Sequence, residues 1–429
     1  EARMLKMKSY PGDEEVEYSE EMAAIFHKVP PGEGDESMSV KPWLGAIKCP
    51  KKFDGKEKKI KKDKPKEDFQ IEHIYGYRTE ETRMNCFWNN SGKLVYPAAA
   101  VGVVYDFNER KQTFFGGGKT KSGGGRKQND ESKNSHTDDI TSLAVSASRK
   151  LVATGQNGPT PTVFIWDAET REVKQKLKLP KGSRLVTGIG ISANDKYVAC
   201  ADAAEKIAAH VYDISKGGKP IGEVKINAKV THLCWHPTNE GLFSTCGAKH
   251  IIWGVGEGKK WKAEPATGLG TGNFTAISWS SESHETMFGA GSDGKIACIQ
   301  SKKCTSKVDC GSKTIQSIFC CADPADSSKE VVYASSTDKG LYAYAHVKAA
   351  LTPLFKIELE APCISIDMKD GKLACGMKNG MIAIVEAKAD AKPNPVMLKH
   401  SEGEVWGLVS ILMPDNSIRV VTSCDDNRI

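Results

Sequence analysis

The chain has 429 residues, with 60 Lys+Arg against 54 Asp+Glu and a formal charge of +6. That length can bury a large core, and its 13 Cys include no C-x-x-C pair, so reduced thiols are expected rather than a disulfide framework or a zinc ribbon. The longest apolar run, LVYPAAAVGVVY at 94–105, is too short to cross a bilayer as a helix and contains a proline, so no membrane partner is expected.

Residues 1–40 read as an acidic flexible leader. Between 13 and 36 nine acids face one lysine, with few large apolar side chains. Residues 41–68 hold KPWLGAIKCP and then a lysine-rich linker, in which 48–66 carries ten lysines against three acids. Residues 69–115 change character, with alternating apolar runs broken by Gly, Asn and Ser. A Gly/Lys-rich insertion follows at 116–135, with five basic residues and two acids. The basic stretches are either solvated linkers or a counter-charge for an acidic polymer: nucleic acid, an anionic membrane or a protein with acidic tails.

From 136 to 398 a period emerges. Similar runs begin at Ile140, Val186, Val230, Phe274, Ile315, Cys363 and Val405. A second strand-like piece follows each, and a third carries a bulky residue at Trp166, Tyr212, Trp253, Ile299, Tyr344 and Ile384. Tyr105 falls into the same register once the insertion is removed. Several strands per ~40–45 residues, repeated, indicate an all-β, seven-bladed WD-repeat propeller. One blade cannot bury both of its faces, so neighbours cover each other and ring closure removes exposed edges. Residues 399–429 open an eighth repeat. The repeat is degenerate, since only Trp166-Asp167 spells the literal WD dipeptide. The chain starts at Glu1 and stops within a repeat, so it reads as a piece of something longer.

The first blade opens with FQIEHIYGYRTEETRMN (69–85). At Tyr75-Gly76-Tyr77-Arg78, then Arg83, Asn85, Gly92 and Leu94-Val95-Tyr96, the chain resembles the hydrophobic HELP motif of the echinoderm microtubule-associated protein-like family. The structural motif takes in Phe69, Ile71, Ile74, Tyr75, Gly76, Tyr77 and Arg78. KPWLGAIKCP, HTDDITSLAVSASRKLVATGQ (136–156) and HSEGEVWGLV (400–409) are also similar to family segments. Departures are His73 where an aromatic is common, Pro97 interrupting LVYPA, and the insertion itself. The resemblance implies tandem propellers that share the motif in their core, with Tyr75 to Arg78 wedging one ring against the next and residues 399–429 supplying the first strands of the second propeller. It also implies binding to tubulin or microtubules, in some members as part of the ciliary axoneme.

Nothing in the chain reads as catalytic, and no cofactor or metal is expected. GGGKT (116–120) lacks the glycine a P-loop needs, since position 113 is Thr. DPADSSKE (323–330) reads as a blade-tip turn without a calcium-loop register. His232 and His236 lie in a run of strand period and are expected to support blade packing. Trp88, Trp235, Trp253, Trp261, Trp279 and Trp406 are expected in the core, and Trp43 is expected to plug a surface groove.

The expected function is therefore a non-enzymatic microtubule-binding structural protein of the cytoskeleton and ciliary axoneme. Its partners would be tubulin and other axonemal proteins. The alternative is a generic WD-repeat adaptor. Candidate tubulin-contacting residues are Lys51, Lys52, Lys56, Lys58, Lys59, Lys61, Lys62, Lys64, Lys66, Lys119, Lys121, Arg126 and Lys127. Nucleic acid is disfavoured because Phe53 is the only aromatic within 48–66.

Overall fold

The computed structural model describes residues 4–7, 16–19, 71–116, 134–283, 285–310, 313–347, 350–397 and 405–425. The chain divides into two units, Glu1–Phe69 and Gln70–Ile429. In the first, Met4–Met7 pairs antiparallel with Val16–Ser19. The leader expected to be wholly flexible thus holds one regular element, in a stretch where Val16 and Tyr18 favour extended backbone.

The second unit contains seven four-stranded antiparallel sheets. Blade 1 is Phe87–Trp88, Leu94–Ala98, Val101–Asp106 and Lys111–Phe115. Blades 2 to 7 begin with the inner strands Ile140–Val145, Val186–Ile191, Val230–Trp235, Phe274–Trp279, Ile315–Asp323 and Cys363–Lys369. Each inner strand neighbours the next, and that of blade 7 neighbours that of blade 1, so the ring closes. All the expected strand starts and third-strand anchors fall where the period placed them. The reason is packing: apolar clusters sit at each of the seven inter-blade interfaces and bury the anchors Tyr105, Trp166, Tyr212, Trp253, Ile299, Tyr344 and Ile384.

The inner strands of blades 2 to 7 share a β-bulge after their first residue, at Thr141, Thr187, Thr231, Thr275, Gln316 and Ile364. The bulge re-aims a side chain toward the neighbouring blade. Thr141 Oγ1 donates to the Val186 carbonyl at 2.9 Å, Thr231 Oγ1 to Phe274 at 2.8 Å and Thr275 Oγ1 to Ile315 at 2.6 Å. Ser317 Oγ does the same for Cys363 at 2.7 Å. Polar groups near the channel are thereby satisfied between blades.

Blade 2, with the literal Trp-Asp pair, carries a buried relay. Trp166 Nε1 donates to Thr154 Oγ1 at 3.1 Å, Thr154 donates to His136 Nε2 at 2.8 Å, and His136 Nδ1 donates to Gln156 Oε1 at 2.8 Å. Burial pulls the His136 pKa down to about 4, which keeps this tautomer neutral. His232 and His236 do serve packing. His232 Nδ1 accepts from Ile277 N of blade 5 at 3.2 Å, and the His236 ring lies 4.6 Å from that of Trp279.

Two expectations need correction. The turn in DPADSSKE spans only Asp323 to Asp326, because the flanking strands continue to those residues. Glu330 is therefore within a strand and buried, where it accepts from Ser280 and Ser281 of blade 5 and from His346 Nδ1 at 2.6 Å. Trp406, expected in the core, is 71% exposed. It lies at the bulge of the pair Val405–Leu412 and Ile418–Cys424, whose register shifts between Val405 and Gly407 as in the inner strands of blades 2 to 7. Leu408, Leu412 and Ile418 of that pair are also exposed, since no neighbouring blade covers it among the described residues. Pro97 does not break its strand. It pairs with Gly102, and the partner strand on the other side reaches only Val95, so the ladder needs no amide hydrogen at 97.

The Glu330–His346 pair yields a pH prediction. Burial alone would raise the Glu330 pKa, but hydrogen bonds from His346, Ser281 and Ser280 outweigh it and bring it to about 2. The neighbouring Cys298 thiol and the Glu330 carboxylate raise His346 to about 9 against the cost of burial. The Glu330 contribution is present above its unfolded value near ~4.3 and is lost as pH falls toward 2. The His346 contribution is complete below ~6.5 and is lost as pH rises through 9. The difference in thermal midpoint between wild type and His346→Gln should therefore be largest at pH 5–6 and shrink by pH 9. A difference that stays flat across that range would remove the ion pair from the account.

Candidate functional site

The residues before blade 1 run along the seam where the ring closes. His73 packs its ring 4.6 Å from Tyr75 and 6.1 Å from Tyr105. The Gln112 side chain, on the outer strand of blade 1, clamps Ile74. It accepts from Ile74 N at 2.7 Å and donates to Ile74 O at 2.8 Å. Gly76 then takes φ +75°, a conformation that side chains resist. This turn sends Tyr77 inward while Tyr75 stays 66% exposed.

Tyr77 is the deep anchor of the segment. It packs among Cys86, Tyr96 and Leu94 on one side and Ile364, Ala374 and Ile382 of blade 7 on the other. Gly376 of blade 7 makes the space: a Cβ there would lie 2.9 Å from Tyr77 Cζ. Arg78 N donates to Pro97 O at 2.9 Å, and its guanidinium pairs with Asp139 at the entry to blade 2. The structure thus seats Ile74 and Tyr77 in the cluster between the first and last blades of the same ring, while Arg78 reaches to the entry of blade 2. Ile71 and Tyr75 remain at the surface. Phe69, Trp43, and all the basic residues proposed from 51–66 and 119–127 lie outside the described residues.

Past Arg78 the segment reaches the channel and turns. Glu81 (φ +52°) and Met84 (φ +46°) make the reversal, and Asn85 Nδ2 closes it onto Arg78 O at 2.9 Å. The return leg takes the inner-strand place of blade 1. Met84 N donates to Ile364 O, Cys86 N to Ser365 Oγ, and Trp88 N to Asp367 Oδ2 at 2.8 Å. Only Phe87–Trp88 is regular strand, so the ring is thinnest here.

Arg149, from the first turn of blade 2, reaches across this thin place. Its Nη1 and Nη2 hold both oxygens of Asp367 in blade 7 at 2.6 and 2.9 Å, and they also donate to the carbonyls of Trp88 and Met368. Asp367 is buried. Burial would lower the Arg149 pKa, yet the Asp367 carboxylate raises it above its ordinary value. The planar guanidinium suits this two-oxygen grip, which a lysine could not reproduce.

The turn at 79–83 borders a cavity of about 310 Å³ at the channel mouth. Leu185, Val230 and Ile364 supply apolar wall, Lys229 and Lys378 stand at the rim, and Thr82 and Arg83 line the interior. Arg83 Nη1 donates to the Gln316 side chain and, at 3.4 Å, to its carbonyl. Burial lowers the Arg83 pKa, as for a partly desolvated cation with no carboxylate partner among the described residues. Arg83 and Asn85 belong to the sequence motif, but their roles, like those of Gln112, Arg149, Asp367 and Gly376, carried no sequence signal. No group of His, Cys, Asp and Glu able to hold a metal occurs among the described residues.

Comparison with known proteins agrees with this architecture. The HELP motif model matches residues 64–103, and the WD domain, G-beta repeat model matches 130–167. A ciliary WD repeat-containing protein, ctxp80, of Euplotoides octocarinatus is 32% identical over 94% of this chain and 54% of its own length. Echinoderm microtubule-associated protein-like 2 of Rattus norvegicus is 29% identical over 45% of this chain and 29% of its own length. The chain therefore spans about half the length of the first relative and less than a third of the second. A chain of the mitotic checkpoint complex superposes with TM-score 0.59 at 13% identity, covering 76% of this chain and 98% of that one. The Cps50 (Swd1) β-propeller domain of Myceliophteria thermophila superposes with TM-score 0.52 at 16% identity, covering 66% and 95%. At such identities the structural matches speak for the fold alone. The chain is a seven-bladed β-propeller that carries matches to the HELP motif and to a WD repeat, and it is similar in sequence to a ciliary WD repeat-containing protein and to echinoderm microtubule-associated protein-like proteins.

Proposed function

We propose that this chain is a non-enzymatic, microtubule-associated structural propeller of the cytoskeleton, used in the ciliary axoneme alongside other axonemal proteins. The observation that carries the reading is the match along 94% of the chain to a ciliary WD-repeat protein, joined to the HELP-motif match and the similarity to echinoderm microtubule-associated protein-like 2. In this reading the closed ring is a stiff platform that meets the tubulin lattice by shape. The pair Val405–Leu412 and Ile418–Cys424 opens a second propeller whose next blades cover its apolar side chains.

The lysines of 48–66 and Lys119, Lys121, Arg126 and Lys127 add attraction to tubulin's acidic surface. Exposed pairs contribute ~0–1 kcal/mol each, so these segments raise encounter rate and avidity while the ring fixes register. Co-sedimentation with microtubules tests this. The full chain should pellet, and removing residues 48–66 should weaken pelleting at low salt and flatten its salt dependence. Absence of pelleting would overturn the association. Pelleting indifferent to both salt and the deletion would overturn the role of the basic segments.

A further inference from the structure

We infer that the channel mouth bordered by residues 79–83 is a receptor for a glutamate side chain presented by a peptide. Arg83 is the first reason. Its guanidinium makes no ion pair among the described residues, and its hydrogen bonds go to Gln316 alone. A guanidinium offers five donors in a planar fork that matches a carboxylate, so most of its capacity is unused.

Thr82 is the second reason. It is 7% exposed, it lines the cavity, and its hydroxyl has no hydrogen-bond partner among the described residues. A buried hydroxyl without a partner is uncommon in folded proteins, and one that lines a cavity is free to meet a ligand atom there. Thr82 and Arg83 are adjacent in the chain and both line the same cavity, so one carboxylate can engage the two.

Charge and shape select the ligand. Arg83, Lys229 and Lys378 set three cations around the cavity, against Glu80 and Glu81 of the same turn. The balance is one positive charge, which a single carboxylate neutralises. A phosphate dianion or an unbroken acidic run would meet the two rim carboxylates. Leu185, Val230 and Ile364 give apolar wall for the two methylenes of a glutamate, which a bare inorganic anion would leave uncovered. The opening at the channel mouth suits a side chain carried on an extended peptide.

The inference goes beyond microtubule association and does not depend on it, because its test contains no tubulin. A fluorescein-labelled peptide with one central glutamate, flanked by neutral residues, is titrated with the full chain, and its glutamine counterpart serves as reference. Wild type should bind the glutamate peptide at least about tenfold more tightly than the glutamine peptide. Arg83→Met should abolish that preference while keeping the thermal midpoint, because it removes a desolvated cation that lacks a counter-ion. The exposed pair Lys229→Gln with Lys378→Gln should weaken binding about threefold to fivefold, which keeps the test valid if Arg83→Met fails to fold. Inorganic phosphate should compete poorly. Equal binding of the two peptides, full affinity in both variants, or displacement by phosphate as effective as by the glutamate peptide would each overturn the proposal.

Discussion

Asp367→Ala is expected to lower the unfolding free energy by about 3–5 kcal/mol, read by urea denaturation of the full chain. The substitution strands Arg149 partly buried without its counter-ion, and it leaves Trp88 N without its acceptor. Both losses fall where blade 1 offers only Phe87–Trp88 as inner strand, so blade 2 loses its hold on blade 7. The paired replacement Arg149→Met with Asp367→Leu should cost far less than the single change, because no unpaired charge remains. That non-additivity is the signature of the clasp. A single-mutant loss below about 1 kcal/mol would mean that ring closure does not rest on the Arg149–Asp367 clasp.

Tyr77 supplies the second large effect. Tyr77→Ala removes a buried ring from the seam between blades 7 and 1 and should cost about 3–5 kcal/mol. Tyr77→Phe should be neutral or slightly stabilising, since the buried hydroxyl finds no hydrogen-bond partner. Gly376→Ala should destabilise as well, because the added methyl would meet the Tyr77 ring. Chemical denaturation of the three variants checks the set. A Tyr77→Phe loss comparable to that of Tyr77→Ala would show that the hydroxyl has a partner and would shift the role of Tyr77 from packing to polar closure.

These two sites show how the sequence reading succeeded and where it stopped. The residue starting each inner strand and the bulky residue of each third strand recur at a steady spacing because each blade solves the same burial problem. A local pattern repeated seven times is visible without coordinates. The HELP block was legible for a similar reason: Tyr75-Gly76-Tyr77-Arg78 is a short contiguous string. Its partners were not legible. Arg149 and Asp367 are 218 positions apart in the chain, and neither breaks the pattern of its own repeat. Gly376 sits in a blade full of small residues, and only the arrival of Tyr77 gives that glycine a purpose. Pro97 stood out as an interruption of LVYPA because a sequence shows a missing donor but not whether a neighbour needs it.

The sequence by itself determined the number of blades and where their inner strands and third-strand anchors fall. Those follow from alternation and periodicity, which are properties of neighbouring residues. Tertiary structure alone decided which polar side chains clasp the ring and which of them line the cavity at the channel mouth. Closing a ring joins segments hundreds of residues apart, and the free energy of a buried charge depends on what surrounds it in space.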